Sequence, residues 1–356
     1  MVIRYTEVVM NNCIHGDCRE VMRSLVSDGV QVQAIITSPP YYGLRNYGVD
    51  GQLGLEETPQ KYIDNMVEVF RVARDLLADD GTLWLNIGDS YARAGGWSDN
   101  SGLDGLERGK SGRAKSNMTG AGVSQRIAPG LKQKDLIGIP WMLAFALRAD
   151  GWYLRQDIIW NKPNPMPESV TDRCTKAHEY VFLLTKSAKY YFDNEAIKED
   201  SVTYENRPSG VVREREYGYD TKQDKIRISL GKKSFSKGQA NGKGINPTGN
   251  GKSDFYDVPF TRNKRSVWTI NTKPCKEAHF AVMPEELVEH CIMAGSKVGD
   301  IVFDPFMGSG TVGKVAQALG RKWLGAELNH EYIKIQHKRT AQQSMEFLTN
   351  NERGIE

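Results

Sequence analysis

The sequence lacks any long apolar segment, and this absence argues against a membrane-spanning protein. Nowhere in its 356 residues is there an apolar run approaching the roughly 18 residues that a membrane span requires. The first residues, MVIRYTEVVMNN, also lack the apolar core of a secretory signal. We therefore expect neither membrane insertion nor secretion, and we expect a cytoplasmic protein.

Cysteine is scarce as well, with five residues and no Cys-x-x-Cys pair. An odd number of widely spaced cysteines suits a reducing cytoplasm. Their spacing carries no zinc signature, and we expect no bound metal. The five are Cys13, Cys18, Cys174, Cys275 and Cys291.

The chain also has no strong charge of one sign. Its formal net charge is +3, with 26% charged and 39% hydrophobic residues, which is typical of a soluble protein. A signal for nucleic-acid binding must therefore be local, and two segments rich in Gly, Ser and Asn carry one. Residues 93–134 contain Arg108, Lys110, Arg113, Lys115, Arg126, Lys132 and Lys134, and residues 201–266 contain Lys232, Lys233, Lys237, Lys243, Lys252, Arg262, Lys264 and Arg265.

In the second segment these basic residues alternate with aromatic ones. Two basic insertions in an otherwise balanced chain indicate binding to phosphate groups, as in nucleic acids. The alternative for each insertion is a solvated loop without a function of its own.

Elsewhere the apolar pattern alternates between strands and helices. Residues 32–37 predict a strand, 60–77 a helix that Asp79, Asp80 and Gly81 end, and 82–88 a second strand. A strand, a helix and a strand in this order are typical of a parallel α/β sheet. Further predicted elements are helix 135–149, strands in YLRQDIIWNKP and EYVFLLTKS, helix 284–294, strand 300–305, helix 312–319, strand KWLGAEL and a final helix from about 330.

The first predicted strand ends in an unusual loop, TSPPYYGLRNY, at residues 37–47. Proline cannot donate to a sheet ladder, and each proline holds its predecessor in an extended conformation, so this loop is stiff. A flat ligand with hydrogen-bond donors would find acceptors at Ser38 and Pro39 and a stacking surface at Tyr41. An ordinary proline-rich turn is the alternative.

Near the carboxyl end, GSGTVG at 308–313 matches the pattern G-x-G-x-x-G between a predicted strand and a predicted helix. Glu327 ends the next strand, where a ribose-binding acid belongs. The pattern indicates an adenosine-containing ligand, with NAD among the alternatives. Only a short stretch follows Glu327, so the remaining strands of the sheet must come from earlier in the chain, and the sheet is permuted in sequence.

The order of these motifs resembles a known family. An early TSPPY, basic insertions in the middle, and a late DPFMGSGT followed by an acidic strand end are similar to the amino-methylating DNA methyltransferases of the permuted β group, which modify N4 of cytosine or N6 of adenine. The resemblance covers the chain except for the two insertions. It implies an α/β fold with a Rossmann-like, doubly wound and permuted sheet, an inserted target recognition region, and S-adenosylmethionine as the cofactor.

The resemblance also implies a division of the chain. Residues 1–92 hold the target-amine loop and the adenine-side segment, 93–134 form a basic flexible insertion, and 135–199 continue the catalytic core. Residues 200–266 form the target recognition region and 267–356 the cofactor-binding half. Two stretches within 157–186 look like the strands that bracket the far side of the target pocket.

For the cofactor, the resemblance implies roles for single residues. Asp17, in His-Gly-Asp-Cys, lies by the adenine, and Glu327 accepts from the ribose hydroxyls. Asp304 ends the strand beneath the sulfonium cofactor, while any side chain at Gly308 or Gly310 collides with the ligand. The full predicted set is Asp17, Phe280, Pro284, Asp304, Pro305, Phe306, Gly308, Ser309, Gly310, Thr311 and Glu327.

The implied target is the exocyclic amine of a base rotated out of double-stranded DNA. The Ser38 hydroxyl and the Pro39 carbonyl accept its two N–H groups, and Tyr41 stacks on the base. We predict Ser38, Pro39, Pro40 and Tyr41 as the catalytic residues. Serine at the first position of SPPY is commoner in cytosine-N4 enzymes, so we favour N4 of cytosine and keep N6 of adenine as the alternative.

We predict that DNA contacts come mainly from residues 200–266, where arginines are candidates for guanine edges and lysines for phosphates. The predicted contacts are Arg213, Arg215, Lys232, Lys233, Arg262 and Arg265. The resemblance leaves open a cognate restriction endonuclease as a partner. Two other hypotheses are an RNA or protein amine methyltransferase and a non-catalytic DNA-binding protein, which predicts a damaged SPPY or glycine loop, and both loops are intact.

Overall fold

The structure is a computed structural model that describes residues 10–92, 127–200, 211–213, 226–230, 255–258, 261–272 and 282–340. The chain divides into two compact units. The large unit comprises Met1–Asp193 and Arg265–Glu356, and the small unit comprises Asn194–Lys264.

Strands and helices alternate along most of the described chain. In chain order they are β1 (Asn12–His15), α1 (Cys18–Ser27), β2 (Val32–Thr37), α2 (Pro59–Leu76), β3 (Leu77–Ile87), α3 (Ile139–Ala149), β4 (Tyr153–Asn161), β5 (His178–Thr185), β6 (Glu199–Asp200), β7 (Val211–Arg213), β8 (Ile226–Leu230), β9 (Phe255–Val258), β10 (Thr261–Arg262), β11 (Val267–Thr269), α4 (Glu285–Gly295), β12 (Ile301–Asp304), α5 (Thr311–Ala318) and β13 (Lys322–Glu327), followed by a helix over 330–340, here α6. Across these described parts, every helix is too short or too polar to span a bilayer.

Eight strands of the large unit form one sheet in the order β1-β13-β12-β2-β3-β5-β4-β11. All neighbours are parallel except at β5, which runs antiparallel to both β3 and β4. The last two strands of the chain, β12 and β13, lie between β1 and β2. The predicted permutation of the sheet is therefore confirmed.

Helices cover both faces of this sheet. On one face the apolar side of α2 buries Tyr62, Met66 and Phe70 completely, and they pack with Leu83 and Leu85 of β3. Burial of each such side chain is worth about 1.5–3 kcal/mol relative to exposure. Helices α1 and α3 flank α2 on this face, and α4 and α5 cover the other.

The predicted helix 60–77 matches α2 to within one residue at each end, but the predicted stop signal and the predicted start of the next strand at 82 are wrong. Asp79, Asp80 and Gly81 do not end the helix, because α2 stops at Leu76 and β3 begins at the next residue. The pairing with β2 shifts across this stretch, so these residues bulge out of the ladder at the start of the strand. A Cβ at Gly81 would lie 2.9 Å from the Gln33 carbonyl oxygen, so the glycine permits close approach of β2.

The predicted helix 135–149 begins later, at Ile139. The carboxylate of Asp89, beyond the end of β3, accepts hydrogen bonds from the backbone N–H groups of Gly138 and Ile139 at 3.0 Å. This carboxylate satisfies N–H groups that lack partners at a helix start. The preceding Gly138 has a φ of 86°, which helical residues do not adopt. The pair β1 and α1 was not predicted.

The small unit contains two antiparallel sheets. Strands β6 and β10 pair with each other, and β7, β8 and β9 form a three-stranded sheet. The bounds of this unit, Asn194–Lys264, nearly coincide with residues 200–266, which we assigned to target recognition. That role stays a prediction. Of the predicted DNA contacts, Arg215, Lys232 and Lys233 lie outside the described residues, as does most of the insertion at 93–134.

Candidate active site

A cavity of about 400 Å³ opens at the carboxyl edge of the large sheet. It lies above the neighbouring strands β2 and β12, whose following helices, α2 and α5, pack on opposite faces of the sheet. Ligands of open α/β sheets bind in the crevice at such a switch point. The position of the cavity follows from the permuted strand order.

The cavity brings together two motifs that stand at opposite ends of the chain. All four residues of the SPPY loop line it, together with most of the predicted cofactor residues. Those cofactor residues are Asp17, Asp304, Pro305, Phe306, Gly308, Ser309, Thr311 and Glu327. Pro284 and Gly310 are not among the lining residues, and Phe280 lies outside the described ones.

A hydrogen bond joins the two motifs directly. The hydroxyl of Thr37, the last residue of β2, donates to the Asp304 carboxylate at 2.6 Å, and the backbone N–H of Phe306 donates to the same oxygen at 2.9 Å. Burial raises the pKa of Asp304 to about 7, although both hydrogen bonds oppose the rise. The carboxyl therefore sits where a nearby cation would favour its charged form.

Glu327 is held by the backbone of two loops. Its carboxylate accepts from the N–H of Gly308 at 2.8 Å and from the N–H of Asn329 at 2.7 Å. Burial raises the pKa of Glu327, and these backbone hydrogen bonds oppose the rise. A carboxylate has about four lone-pair sites, so these backbone donors leave room for a ligand donor. The predicted contact with ribose stays a prediction.

Asp17 has a structural role that the sequence analysis missed. It caps α1 by accepting from the Arg19 backbone N–H at 2.8 Å, and it pairs with the Arg19 guanidinium at 2.6 Å. Burial raises the pKa of Asp17, but the Arg19 hydrogen bonds outweigh it and hold that pKa below its usual range. The carboxylate thus stays charged at the rim of the cavity.

The two predicted glycines of the loop differ in their surroundings. A Cβ on Gly308 would meet nothing nearer than a backbone oxygen at 3.8 Å, so it would point into open space within the cavity wall. A Cβ on Gly310 would lie 2.9 Å from the Gln336 side chain. Gly310 therefore makes room for α6. The predicted collision of a Gly310 side chain with the ligand stays a prediction.

Helix α6 holds the glycine loop through hydrogen bonds. The helix and the loop were both predicted, but no sequence pattern indicated their contact. The Gln336 amide donates to the Gly308 carbonyl at 2.7 Å. The Arg339 guanidinium donates to both the carbonyl and the hydroxyl of Ser309 at 2.7 Å. Gln336 and Arg339 are not among the residues that line the cavity, so these bonds hold the loop without occupying ligand space.

The far side of the cavity carries a polar cluster around Tyr41. The Tyr41 hydroxyl donates to the Glu179 carboxylate at 2.7 Å, and the Asn86 amide donates to the Tyr41 oxygen at 3.0 Å. Lys162 forms an ion pair with the other oxygen of Glu179. Burial and the Glu179 charge raise the pKa of Tyr41 well above its usual value, so the hydroxyl remains a neutral donor.

Sequence reasoning missed three members of this cluster, Asn86, Lys162 and Glu179. The last two lie within the 157–186 stretch predicted to bracket the target pocket, but no single residue there was assigned. Glu179 reaches the carboxyl edge only because β5 is antiparallel, which places the start of that strand beside the ends of its neighbours.

Comparison with known proteins decides the family. A family model for DNA methylases of the N6 and N4 type matches residues 32–338, most of the chain. The chain belongs to the DNA methylase family. The methylase is 44% identical to the type II methyltransferase M.Cfr9I of Citrobacter freundii over 320 residues, which cover 90% of this chain and 84% of that protein. It is 43% identical to M.SmaI of Serratia marcescens over 327 residues, covering 92% and 89%.

Solved structures agree on the fold. The methylase resembles a putative DNA modification methylase of Thermus thermophilus in complex with S-adenosylmethionine, with a TM-score of 0.51, 21% identity and 93% of each chain covered. It also resembles the PvuII DNA methyltransferase, with a TM-score of 0.53, 17% identity, and coverage of 92% and 85%. The predicted family, fold class and cofactor are thereby confirmed: the methylase is an S-adenosylmethionine-dependent DNA methyltransferase of the N4 and N6 class.

Two of the predicted DNA contacts have described surroundings. Within the small unit, Arg262 donates to Glu199 at 2.9 Å in a half-buried ion pair. In the large unit, Arg265 is exposed and its carbonyl accepts from the Trp268 indole at 2.8 Å. Neither observation tests contact with DNA. Among the described residues, no group of three or more His, Cys, Asp or Glu could hold a metal ion, and the expectation of a metal-free enzyme stays a prediction.

We predict that Gly88→Ala lowers the turnover of the methylase about 100-fold, because a 1 Å misplacement of a catalytic group can have this effect. A Cβ at Gly88 would lie 2.7 Å from Cε2 of Tyr41, so the ring would have to move. Turnover and the Kd for S-adenosylmethionine are the measurements, and we expect the Kd to stay near the wild-type value. The control is Gly29→Ala, where the added Cβ would have no atom within 4 Å. This substitution strains the backbone at a φ of 74° but displaces no side chain. Wild-type turnover in Gly88→Ala would contradict the prediction.

Proposed function

We propose that the methylase transfers a methyl group to N4 of a cytosine rotated out of duplex DNA. The observation that carries the proposal is the position of the SPPY loop, whose residues Ser38 and Pro39 line the same cavity as the glycine loop. The relatives named above are type II methyltransferases. One solved structure of this fold is described as cytosine-N4-specific, which agrees with serine as the first residue of SPPY.

The chemistry requires acceptors for the protons of the amine. The lone pair of an exocyclic amine is delocalised into the ring, so the amine is a weak nucleophile. Hydrogen bonds accepted by the Ser38 hydroxyl and the Pro39 carbonyl favour the tetrahedral amine and free its lone pair. S-adenosylmethionine, when bound, supplies an electrophilic methyl group on a sulfonium.

Tyr41 provides a ring of fixed orientation beside these acceptors. Its hydroxyl is anchored by Glu179, and its ring edge packs closely on Gly88. An aromatic face stabilises a flat base by stacking and a developing positive charge by its π electrons. The methylated ammonium is acidic and loses its proton to solvent or to an adjacent acceptor.

On the cofactor side, the residues present suit a ligand with an adenosine and an amino-acid portion. Glu327 offers carboxylate lone pairs for ribose hydroxyls, and Gly308 leaves open space in the cavity wall. Asp304 is a buried carboxyl with a raised pKa, and a sulfonium nearby would favour its ionised form. These residues would hold S-adenosylmethionine in the cavity that the SPPY loop also lines.

The test is to incubate the purified methylase with unmethylated duplex DNA and S-adenosylmethionine, and to identify the methylated nucleoside by mass spectrometry after digestion. N4-methylcytosine is the expected product. N6-methyladenine would keep the enzyme class but refute the target base. If DNA stays unmethylated while cofactor is bound, parallel assays with RNA and protein acceptors distinguish the remaining hypotheses. A cognate restriction endonuclease stays a prediction.

A further inference from the structure

Five polar side chains on the far side of the cavity form one connected chain of hydrogen bonds. Ser38 and Tyr41 follow β2, Asn86 lies in β3, Lys162 follows β4 and Glu179 lies in β5. The Ser38 hydroxyl lies 3.3 Å from the Tyr41 oxygen, which lies 2.7 Å from Glu179. The chain therefore leads from the acceptor of the target amine to a carboxylate.

At Glu179, the hydrogen bonds of this network can run in only one direction, toward the carboxylate. An ammonium can only donate and a carboxylate can only accept, so Lys162 and Tyr41 both give hydrogens to Glu179. The ammonium of Lys162 is itself fixed, because it also lies 4.2 Å from the centre of the Trp160 ring. Glu179 and Lys162 are each only 17% exposed, so water competes little for these contacts.

The donor and acceptor roles at Glu179 also fix the role of the Ser38 hydroxyl, which must donate to Tyr41. The single hydrogen of the Tyr41 hydroxyl is used on Glu179, so its oxygen can only accept from its other neighbours. Asn86 donates one hydrogen to it at 3.0 Å, and the Ser38 hydroxyl supplies another. Turning the Asn86 amide around would place its oxygen 3.2 Å from the Glu179 carboxylate, so Asn86 is also restricted to donating.

We propose that Glu179 is a positioning residue that sets the direction of these hydrogen bonds, so that the Ser38 hydroxyl points its hydrogen at Tyr41, accepts from the Asn86 amide at 3.4 Å, and keeps its other lone pair for the target amine. The proposal rests on the function proposed above. If the Ser38 hydroxyl were free to rotate, its hydrogen would point at the amine for part of the time. The hydroxyl hydrogen and the amine N–H would then face each other, and no hydrogen bond could form. The ion pair with Lys162 thus acts on catalysis through two other side chains.

A single substitution reverses the direction. In Glu179→Gln the ammonium of Lys162 still requires an oxygen, so the amide oxygen faces Lys162 and the amide NH₂ faces Tyr41. The Tyr41 hydroxyl then accepts from the glutamine, and its own hydrogen turns toward Ser38 or toward the Asn86 amide, which can now turn around, so Ser38 is no longer held as the donor to Tyr41. We expect kcat to fall about 100-fold, as it does when one preorganised hydrogen bond in a catalytic site is removed. The KM for DNA and the Kd for S-adenosylmethionine should stay near wild type.

A second substitution should restore the direction. Lys162→Met in the Glu179→Gln background removes the ammonium and lets the glutamine present its oxygen to Tyr41. We expect the double variant to be about tenfold faster than Glu179→Gln alone. The matched control is Glu179→Leu with Lys162→Met, which also removes the unpaired ammonium but cannot accept from Tyr41 and should stay slow. All variants are assayed below the unfolding temperature measured for each.

The outcomes separate the two proposals. If the wild-type methylase forms no methylated amine on DNA while it binds the cofactor, the proposed function fails and this inference fails with it. If the wild type is active but Glu179→Gln keeps its kcat, the inference alone is overturned. The same holds if the double variant is no faster than Glu179→Gln, or if the leucine control recovers equally.

Discussion

We expect Ser38→Ala and Tyr41→Ala each to lower methyl transfer at least about 100-fold while cofactor binding stays near wild type. Ser38→Ala removes an acceptor for the target amine, and loss of one preorganised hydrogen bond in a catalytic site costs about 10²- to 10³-fold in kcat. Tyr41→Ala removes a stacking face worth about 1–3 kcal/mol per base. It also removes the partner that Glu179 and Asn86 share. We therefore expect the larger loss in Tyr41→Ala.

The measurements are single-turnover rates on duplex DNA and calorimetric titration with S-adenosylmethionine. Tyr41→Phe keeps the ring and removes only the hydroxyl, so its rate separates stacking from the hydrogen-bond chain. Ser27→Ala is the matched control for the serine, since that exposed hydroxyl bonds only the Arg23 carbonyl at the end of α1. Near-wild-type turnover in Tyr41→Ala would show that the assigned stacking role is wrong.

We expect Gly308→Arg to have the opposite effect, weakening cofactor binding while the SPPY loop stays intact. Gly308 has a φ of 51°, and a side chain there would extend into a cavity of about 400 Å³. We expect the affinity for S-adenosylmethionine to fall at least about 100-fold, because the arginine occupies space that the ligand needs and left-handed backbone costs a non-glycine residue about 1–2 kcal/mol. DNA binding, measured by fluorescence anisotropy, should remain.

Two further substitutions separate these causes. Gly308→Ala adds the backbone strain with a single methyl group, so its loss of affinity should be intermediate. Gly130→Arg introduces the same residue at an exposed glycine with a φ of 88° and open surroundings, and it should bind cofactor as the wild type does. Normal cofactor affinity in Gly308→Arg would contradict the assignment of this wall to the cofactor.

One short hydrogen bond, between Thr37 and Asp304, joins the parts of the site predicted to bind the target base and the cofactor. The hydrogen bond from Thr37 to Asp304 links the strand that leads into the SPPY loop to the strand that leads into the glycine loop. The loops predicted to bind the target amine and the cofactor therefore follow adjacent, paired strands of one sheet. Groups held on rigid elements keep the orientation that a displacement reaction needs.

Local sequence was sufficient for the family, the permuted α/β fold and the two loops that line the cavity. The reason is that these features are encoded by backbone demands within a few residues: two prolines after a strand, and glycines between a strand and a helix. Their order along the chain then required upstream strands to complete the sheet. The element boundaries were less certain, since Gly81 marks a bulge rather than a helix end.

Only the tertiary structure decided which distant side chains complete the site. Asn86, Lys162 and Glu179 come from three strands or their ends, and Glu179 is brought near Tyr41 by the antiparallel direction of β5. Likewise, residue 310 must be a glycine because Gln336 of α6 occupies the space that a Cβ would need. Such contacts depend on strand order and direction, which bring together residues far apart in the chain, whereas the motifs depend only on neighbouring residues.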